Sequence, residues 1–438
     1  MRKLFISLLA SVLTLVAFAQ QEVVKYHPPE FKNVKERYTI LNGDSTKIDG
    51  PYTKYYEAGQ VSMKGNFENG KPNGEFVEFY DTGEILSKTT YQQGEKTGAF
   101  LVLSKSGKPI QKGEYLKNQL HGVIEAYFDN GKVKKESTFS NGVLNGKAVE
   151  YFENGNKKLE FTYASGKQNG EAKSYYQTGE LSSAYTYVNG RIQGAYSTYY
   201  QNGNQEWTYN YQNGLKNGEY KHYNSKGALV EEGTYLDGIN TGARNTYYDS
   251  GKPKETHKYQ LGAKIGINKT FFETGELMWE ENYTKAAKDA VIKEYYISGQ
   301  LKSEQFYSNG KKVKDWKTYH ENGALETETP YYENVINGTL NEFDNQKNLV
   351  KSTAFQFNRQ SGPVITYYGN GEKQTETNYV NGQKSGRHYE YRENGSVKVK
   401  GNHLYNVRQG TWQYFDTQGK ITKTETYSRG QLISSTEN

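Results

Sequence analysis

Glycine returns every 24 residues along this chain, at Gly50, Gly74, Gly98, Gly122, Gly146, Gly170, Gly194, Gly218, Gly242 and Gly266, and again at Gly338, Gly362, Gly386 and Gly410. Only Ala290 and Lys314 break the series, so sixteen units run from Gly50 to about residue 433 without insertion. A strict period of this length marks a repeat architecture, in which each unit buries its apolar surface against its neighbours. A second glycine lies nine residues after the first in fifteen units, Lys347 being the exception, and a third position lies twenty residues after it. That third position is Gly in eleven units and Asn in four, namely Asn118, Asn334, Asn358 and Asn406. Asn tolerates the left-handed region best after Gly, so the exchange predicts positive φ there. Forty of the 46 glycines fall at these three phases, which makes the glycine content turn chemistry and not disorder.

One unit shows how the period becomes a shape. From Gly146, an aromatic-rich run through Tyr151 and Phe152 leads into Asn154-Gly155, and a second run carries Leu159, Phe161 and Tyr163 to Gly166. Asn-Gly between two such runs predicts a two-residue hairpin turn of type I′, with a longer second turn at Gly166 to Gly170. Each unit is then two antiparallel strands, and the expected fold is all-β: an elongated, twisted, single-layer meander of about thirty-two strands. Strands spaced ~4.8 Å apart would advance ~10 Å per unit and make a ribbon on the order of 150 Å long. The only hint of helical spacing lies at Thr284 to Ala290, where Lys285-Ala286-Ala287-Lys288 replaces the turn glycine.

With Asn-Gly at the turn centre, Tyr56 would pair with Val61 and Tyr52 with Gly65, on the face that also carries Phe67. Tyr55 points to the other face, and an aromatic recurs at its phase almost without a break, Leu103 being the lapse. The Phe67 phase is as regular, with His403 its lapse. Both faces of the sheet therefore carry an aromatic file. Four glycines outside the three turn phases, Gly65, Gly113, Gly233 and Gly401, share one place in the second strand, where each would relieve an overlying ring.

The ends and the composition narrow the function. Arg2 and Lys3, an apolar run from Leu4 to Phe18, and Ala17 and Ala19 read as a signal peptide over residues 1–19, cleaved after Ala19. The run is shorter than the ~20 residues a bilayer span needs, so the expected address is exported, periplasmic or extracellular, with no transmembrane segment after cleavage. Residues 20–49 would form an N-terminal cap and 434–438 a C-terminal tail. Cysteine is absent, which excludes disulfides, thiolate metal sites and a cysteine nucleophile. Loss of Arg2 and Lys3 takes the formal net charge from +6 to +4, too little to point to nucleic acid. A mean hydropathy of −0.94 would suit a disordered chain, but 41 tyrosines in strict register oppose that reading.

The unit G-x-[YF]-x-x-Y-[YF]-x-x-G-x-[ILV]-x-x-x-x-x-[YF]-x-x-G resembles the variant class of the MORN repeat, the membrane occupation and recognition nexus. The resemblance covers nearly the whole chain after residue 50 and implies fold more than function. It implies membrane apposition or protein scaffolding for some members and antitoxin-like roles for others, and it brings no catalytic residues. The pattern departs from the family between about 285 and 358, where Ala286, Ala290, Lys314, Asn334, Lys347 and Asn358 replace turn glycines and Pro330 enters a strand.

Enzyme chemistry finds little support. The seven histidines, among them His121, His222, His257, His320, His388 and His403, follow no common phase, so no metal and no cofactor is expected. Glycines such as Gly166 and Gly170 precede no helix and are not a phosphate loop. Glu231-Glu232 and Glu280-Glu281 project to opposite faces of a strand and cannot act on one bond. One aromatic file should be the spine on which hairpins stack, leaving the other as a binding strip. Its candidate residues are Tyr127, Tyr151, Tyr175, Tyr199, Tyr223 and Tyr247. The expected function is a non-enzymatic scaffold for a protein partner in the cell envelope. Alternatives are glycan or peptidoglycan binding through the tyrosine ladder, and an antitoxin-like protein that sequesters a toxin.

Overall fold

The computed structural model describes residues 20–437 apart from Phe31 and Ala286, and the expected signal peptide at 1–19 lies outside them. Among the described residues every regular element is a β-strand, every recorded pairing is antiparallel, and the strands belong to one open sheet. Contacts divide the chain into two units, one running to Gln205 and including Tyr211–Gly214, the other formed by Glu206–Asn210 and Leu215–Asn438. Within each unit a strand packs extensively only against the strands before and after it, which is a single-layer meander. Short strands such as Lys71–Pro72 and Gly74–Phe79 are two parts of one interrupted strand. Counted whole, the repeat region holds the thirty-two strands expected, flanked by Gln20–Tyr26 and Val34–Leu41 at one end and Gln431–Glu437 at the other. Between Thr284 and Ala290 the described residues are not helical: Leu277–Lys285 and Asp289–Tyr295 are paired strands.

The two turns of each unit have the reverse of the expected assignment. At Asn154-Gly155 the Phe152 carbonyl accepts the Gly155 N–H at 2.9 Å, Phe152 N–H donates to Asn156 O at 2.8 Å, and only Gly155 has positive φ. A type I turn followed by a left-handed glycine builds this longer loop with its bulge. The extra residue shifts the register, so Tyr55, not Tyr56, lies opposite Val61, while Tyr52 does pair with Gly65. The two-residue type I′ turn is the second one. Ser165 and Gly166 have φ of 48° and 79°, and Ala164 pairs directly with Lys167. Asn118, Asn334, Asn358 and Asn406 sit in these turns at φ of 66° to 76°, as the Gly-to-Asn exchange predicted.

The Asn of Asn-Gly serves another purpose. Its Oδ1 accepts the N–H two residues on, and its Nδ2 reaches the next hairpin tip: Asn154 Nδ2 donates to Gln177 O at 2.7 Å, Asn322 to Asn345 O at 2.7 Å, and Asn370 to Glu393 O at 2.7 Å. Where asparagine stands at this place, it thus ties one tip to the next.

The first glycine of each unit marks a bulge. Tyr163 pairs with Gln168 but Phe161 with Ala172, so two extra residues accumulate around Gly170, whose φ is 112°. This bulge swings the residue two places later over the preceding hairpin. Phe76, Phe100, Ile124, Ala148, Ala172, Tyr220 and Trp412 all occupy that place and are buried, and they form the core file. Each of the four in-strand glycines lies under a core-file ring or side chain. A methyl at Gly65 would overlap Phe76, at Gly113 Ile124, at Gly233 Tyr220 and at Gly401 Trp412. For Gly65, Gly113 and Gly401 the obstructing group comes from the following unit, brought there by the bulge, and not from the registered partner.

Through residues 285–358 the pairing runs on. Lys314 and Lys347 adopt φ of 61° and 73° in place of glycine. At Ala290 the bulge is missing, because the turn between Lys285 and Asp289 takes up the extra residues and Tyr283 pairs with Ala290 in a straight ladder.

Candidate binding surface

Alternation along the strands separates two faces. One carries the core file together with the file of Tyr91, Tyr115, Phe139 and Tyr163, and rings of the two files meet: Phe76 and Tyr91 at 5.0 Å, Phe100 and Tyr115 at 4.8 Å, Trp316 and Tyr331 at 4.8 Å between centroids. Basic side chains from the adjoining type I′ turns lie over rings of this face, with Lys216 Nζ 3.5 Å from the Tyr209 centroid, Lys312 Nζ 4.2 Å from Trp316 and the Arg408 guanidinium 4.2 Å from Trp412. Stacked rings and alkyl stems cover this face from within, which is how a sheet one layer thick obtains a core.

The other face holds the six candidate tyrosines, Tyr127, Tyr151, Tyr175 and Tyr199 in the first unit and Tyr223 and Tyr247 in the second, all half-buried. The hydroxyls of Tyr127, Tyr151, Tyr175 and Tyr247 reach carboxylates on the same face. Tyr151 donates to Glu136 at 3.1 Å and Tyr247 to Glu232 at 2.8 Å, and Tyr175 and Tyr127 donate to Glu160 and Glu125. Burial and then the neighbouring carboxylate push the Tyr151 and Tyr175 hydroxyls up to about 12. They therefore remain protonated donors across the physiological range. Burial opposes ionisation of Glu160, but the bonds from Lys157 and Tyr175 outweigh it and hold its carboxyl below the usual range.

Beside the tyrosines runs a shallow hollow that recurs at one phase. In the first unit it is lined by Lys147, Val149, Glu160, Thr162, Glu171 and Lys173 over about 110 Å³, and again by Glu171, Lys173, Ala184, Thr186, Ala195 and Ser197 over about 220 Å³. In the second unit Glu219, Lys221, Glu232, Thr234, Ala243 and Asn245 line a hollow of about 220 Å³. These hollows are open to solvent and present alternating ammonium, carboxylate and hydroxyl groups. Such a surface suits an extended polar ligand better than an enclosed small molecule.

Adjacent carboxylates part as the alternation requires. Glu231 accepts from Arg244 at 2.9 Å and Tyr220 at 2.8 Å on the covered face, and Glu232 accepts from Tyr247 on the other. Two histidines without a common phase do meet, since His388 and His403 lie 5.2 Å apart against Trp412. Among the described residues no group of three His, Asp or Glu is placed as metal ligands would be. The tyrosines next to the candidate file, at Tyr56, Tyr80 and Tyr176, carry a role that sequence reasoning missed. Each donates its hydroxyl to a carbonyl of the next unit, at 2.6 to 2.8 Å. The signal was present: His320 and Arg392, both donors, replace tyrosine at this phase and reach the equivalent carbonyls.

The profile of the MORN repeat variant matches eight stretches, 48–69, 72–93, 120–141, 144–164, 168–189, 216–237, 288–309 and 312–334. Every match begins two residues before the first glycine, or its Ala290 or Lys314 equivalent. The chain is a MORN-variant repeat protein. The MORN units between and beyond the matches have the same strands and turns, as at Gln383–Tyr391 and Val397–Leu404. None of the curated proteins matches the chain. Among solved structures it is similar to the crystal structure of TcdB2-TccC3, at 12% identity and a TM-score of 0.14 over 95% of this chain and 24% of that one. It is also similar to TcdB2-TccC3 without its hypervariable C-terminal region, at 10% identity and a TM-score of 0.16 over 92% of this chain and 27% of that one. A Photorhabdus luminescens Tc holotoxin pore matches at 14% identity with a TM-score of 0.14, over 90% and 24%. The MORN-repeat chain thus spans about a quarter of the length of those proteins. It is a repeat scaffold, and no helix among the described residues is long and apolar enough to cross a membrane.

Proposed function

We propose that this MORN-repeat chain is an exported, non-enzymatic scaffold that binds a protein partner in the cell envelope through the tyrosine face of its units, Tyr127, Tyr151, Tyr175 and Tyr199 in the first and Tyr223 and Tyr247 in the second. The observation that carries the reading is the inequality of the two faces. One is covered by its own rings and lysine stems, while the other leaves half-buried tyrosines beside a periodic polar hollow. Tyrosine supplies large contact area at low entropic cost and keeps a polar tip, which suits a recognition surface. Export is supported by the charged, apolar and small-residue pattern of residues 1–19.

The test compares the intact chain with the triple variant Tyr151→Ala, Tyr175→Ala, Tyr199→Ala in envelope crosslinking and in pulldown on insoluble peptidoglycan. A discrete protein adduct that the triple variant loses supports the proposal. Retention on peptidoglycan that depends on the same tyrosines would replace the protein partner with a glycan.

A further inference from the structure

The two rows of turns differ in a way that the tyrosine face does not explain. The row of Asn-Gly tips is mostly polar, with Ile297 an exposed exception. The row of type I′ turns carries most of the large apolar side chains left in water, and in the second unit these include Leu236, Leu261, Tyr332, Phe357, Val380 and Tyr405. Three occupy the first central residue of the turn: Leu261 at φ 49°, Phe357 at φ 46° and Tyr405 at φ 51°. Asn or Asp fills this place in many other units, as at Asn213, Asp237 and Asn381. A bulky residue with positive φ is a backbone outlier that folding disfavours. Leu261, Phe357 and Tyr405 are 75%, 60% and 71% exposed. Neither Phe357 nor Tyr405 makes a ring contact or side-chain hydrogen bond among the described residues. Strain and exposure at one residue, without packing in return, point from the outlier to a use outside the fold.

The charge along this edge says what it meets. From Tyr332 to Gln431 the turns contribute Arg359, Lys384 and Arg429, none of them in an ion pair among the described residues, while Glu333 is paired with Lys311 at 3.1 Å and Arg408 with Glu425 at 3.6 Å. Arg359 and Arg429 are exposed. Apolar knobs at the repeat spacing, rimmed by cations, complement an apolar groove bordered by carboxylates.

We propose that this turn edge, from Tyr332 to Arg429, docks a second partner protein whose contact surface is an apolar groove with an acidic rim. The edge is separate from the tyrosine face and does not rest on it. A scaffold with both surfaces holds two proteins at once.

The test places a photo-crosslinking phenylalanine analogue at Phe357, at Tyr405, or at Ile297 on the opposite row of tips, in the full chain in its own cells. Phe357 and Tyr405 should give the same protein adduct, and Ile297, itself 55% exposed, should not. Arg359→Glu with Arg429→Glu should cut the adduct about tenfold, as loss of interface hot-spot contacts does. Phe357→Asn with Tyr405→Asn, read out as loss of competition by the purified chain, should abolish binding while thermal stability holds or rises, because Asn suits the left-handed turn. The tyrosine triple variant should leave the adduct intact, which separates this proposal from the preceding one. Adducts to a second copy or to lipid, equal labelling from Ile297, no discrete adduct, or insensitivity to the charge reversals would each overturn it.

Discussion

The Tyr176 hydroxyl donates to the backbone carbonyl of Tyr199, 2.7 Å away and 23 residues on in the sequence. Tyr248 reaches Phe271 O at 2.7 Å, and Tyr296 and Tyr368 reach Tyr319 O and Tyr391 O at 2.8 Å. The receiving residues share the phase of the aromatic file on the proposed binding face, and the Tyr176 strap fixes the strand end on which the candidate Tyr199 stands.

Tyr176→Phe removes one strap and leaves the Tyr199 carbonyl without its donor. A cost of about 1 kcal/mol is expected for a single half-buried hydrogen bond. Chemical denaturation of the variant beside a control such as Phe152→Tyr checks it, and an unchanged midpoint would show the strap to be dispensable.

Gly401→Ala and Gly419→Ala separate two reasons for glycine. At Gly401 a methyl meets the Trp412 ring, which is 1% exposed, and overpacking there should cost ~1–3 kcal/mol and shift the Trp412 fluorescence. At Gly419 φ is +81° and nothing lies within 4 Å, so the cost of ~1–2 kcal/mol is backbone strain alone and the Trp412 emission should stay unchanged.

Lys347→Gly should stabilise the chain. Lys347 holds φ 73° where fifteen other units have glycine, and its amide bond to the Asp344 carbonyl at 3.1 Å does not need the side chain. A gain of roughly 1 kcal/mol is expected from release of the left-handed strain, less the entropy glycine adds to the unfolded chain. Thermal melting measures it.

Acid should loosen the last hairpins in two stages. Burial, then His388, Lys384 and Arg408, push the His403 imidazole down to about 4. The unfolded chain therefore binds a proton first, and stability held above the ordinary histidine value of ~6.5 is lost as pH falls toward 4. Hydrogen bonds from Lys423 and Tyr414 hold the Glu425 carboxyl down at about 2. Its contribution is complete above the ordinary value of ~4.3 and disappears as pH falls toward 2. Hydrogen exchange in Ile421–Ser428 should accelerate in both windows. His403→Tyr restores the residue type of its file and should weaken the upper stage without removing it, because burial also lowers the His388 imidazole.

The period made the hairpins, the left-handed Asn residues and the opposite facing of Tyr151 and Tyr163 legible before any coordinates. It misled at Asn154-Gly155, because the signal was read for backbone tolerance whereas the Asn154 amide is used sideways, on Gln177. Which aromatic face would be covered depends on the bulge at the first glycine, and a displacement of a residue from one hairpin onto the one before is not written in alternation. The meeting of His388 and His403 was hidden for the same reason, since they lie at different phases of one hairpin and only the folded ladder opposes Gly386 to His403. The six candidate tyrosines share one face within their units, as the spacing required.

Hydroxyl-radical footprinting of tyrosines in the purified chain and in the intact cell fraction tests the binding face most directly. Tyr127, Tyr151, Tyr175 and Tyr199 should react readily in the purified chain and become protected in the cell fraction, while the buried Phe76 and Trp412 react slowly in both. Equal reactivity of the four tyrosines in the two states would contradict a partner seated on that face.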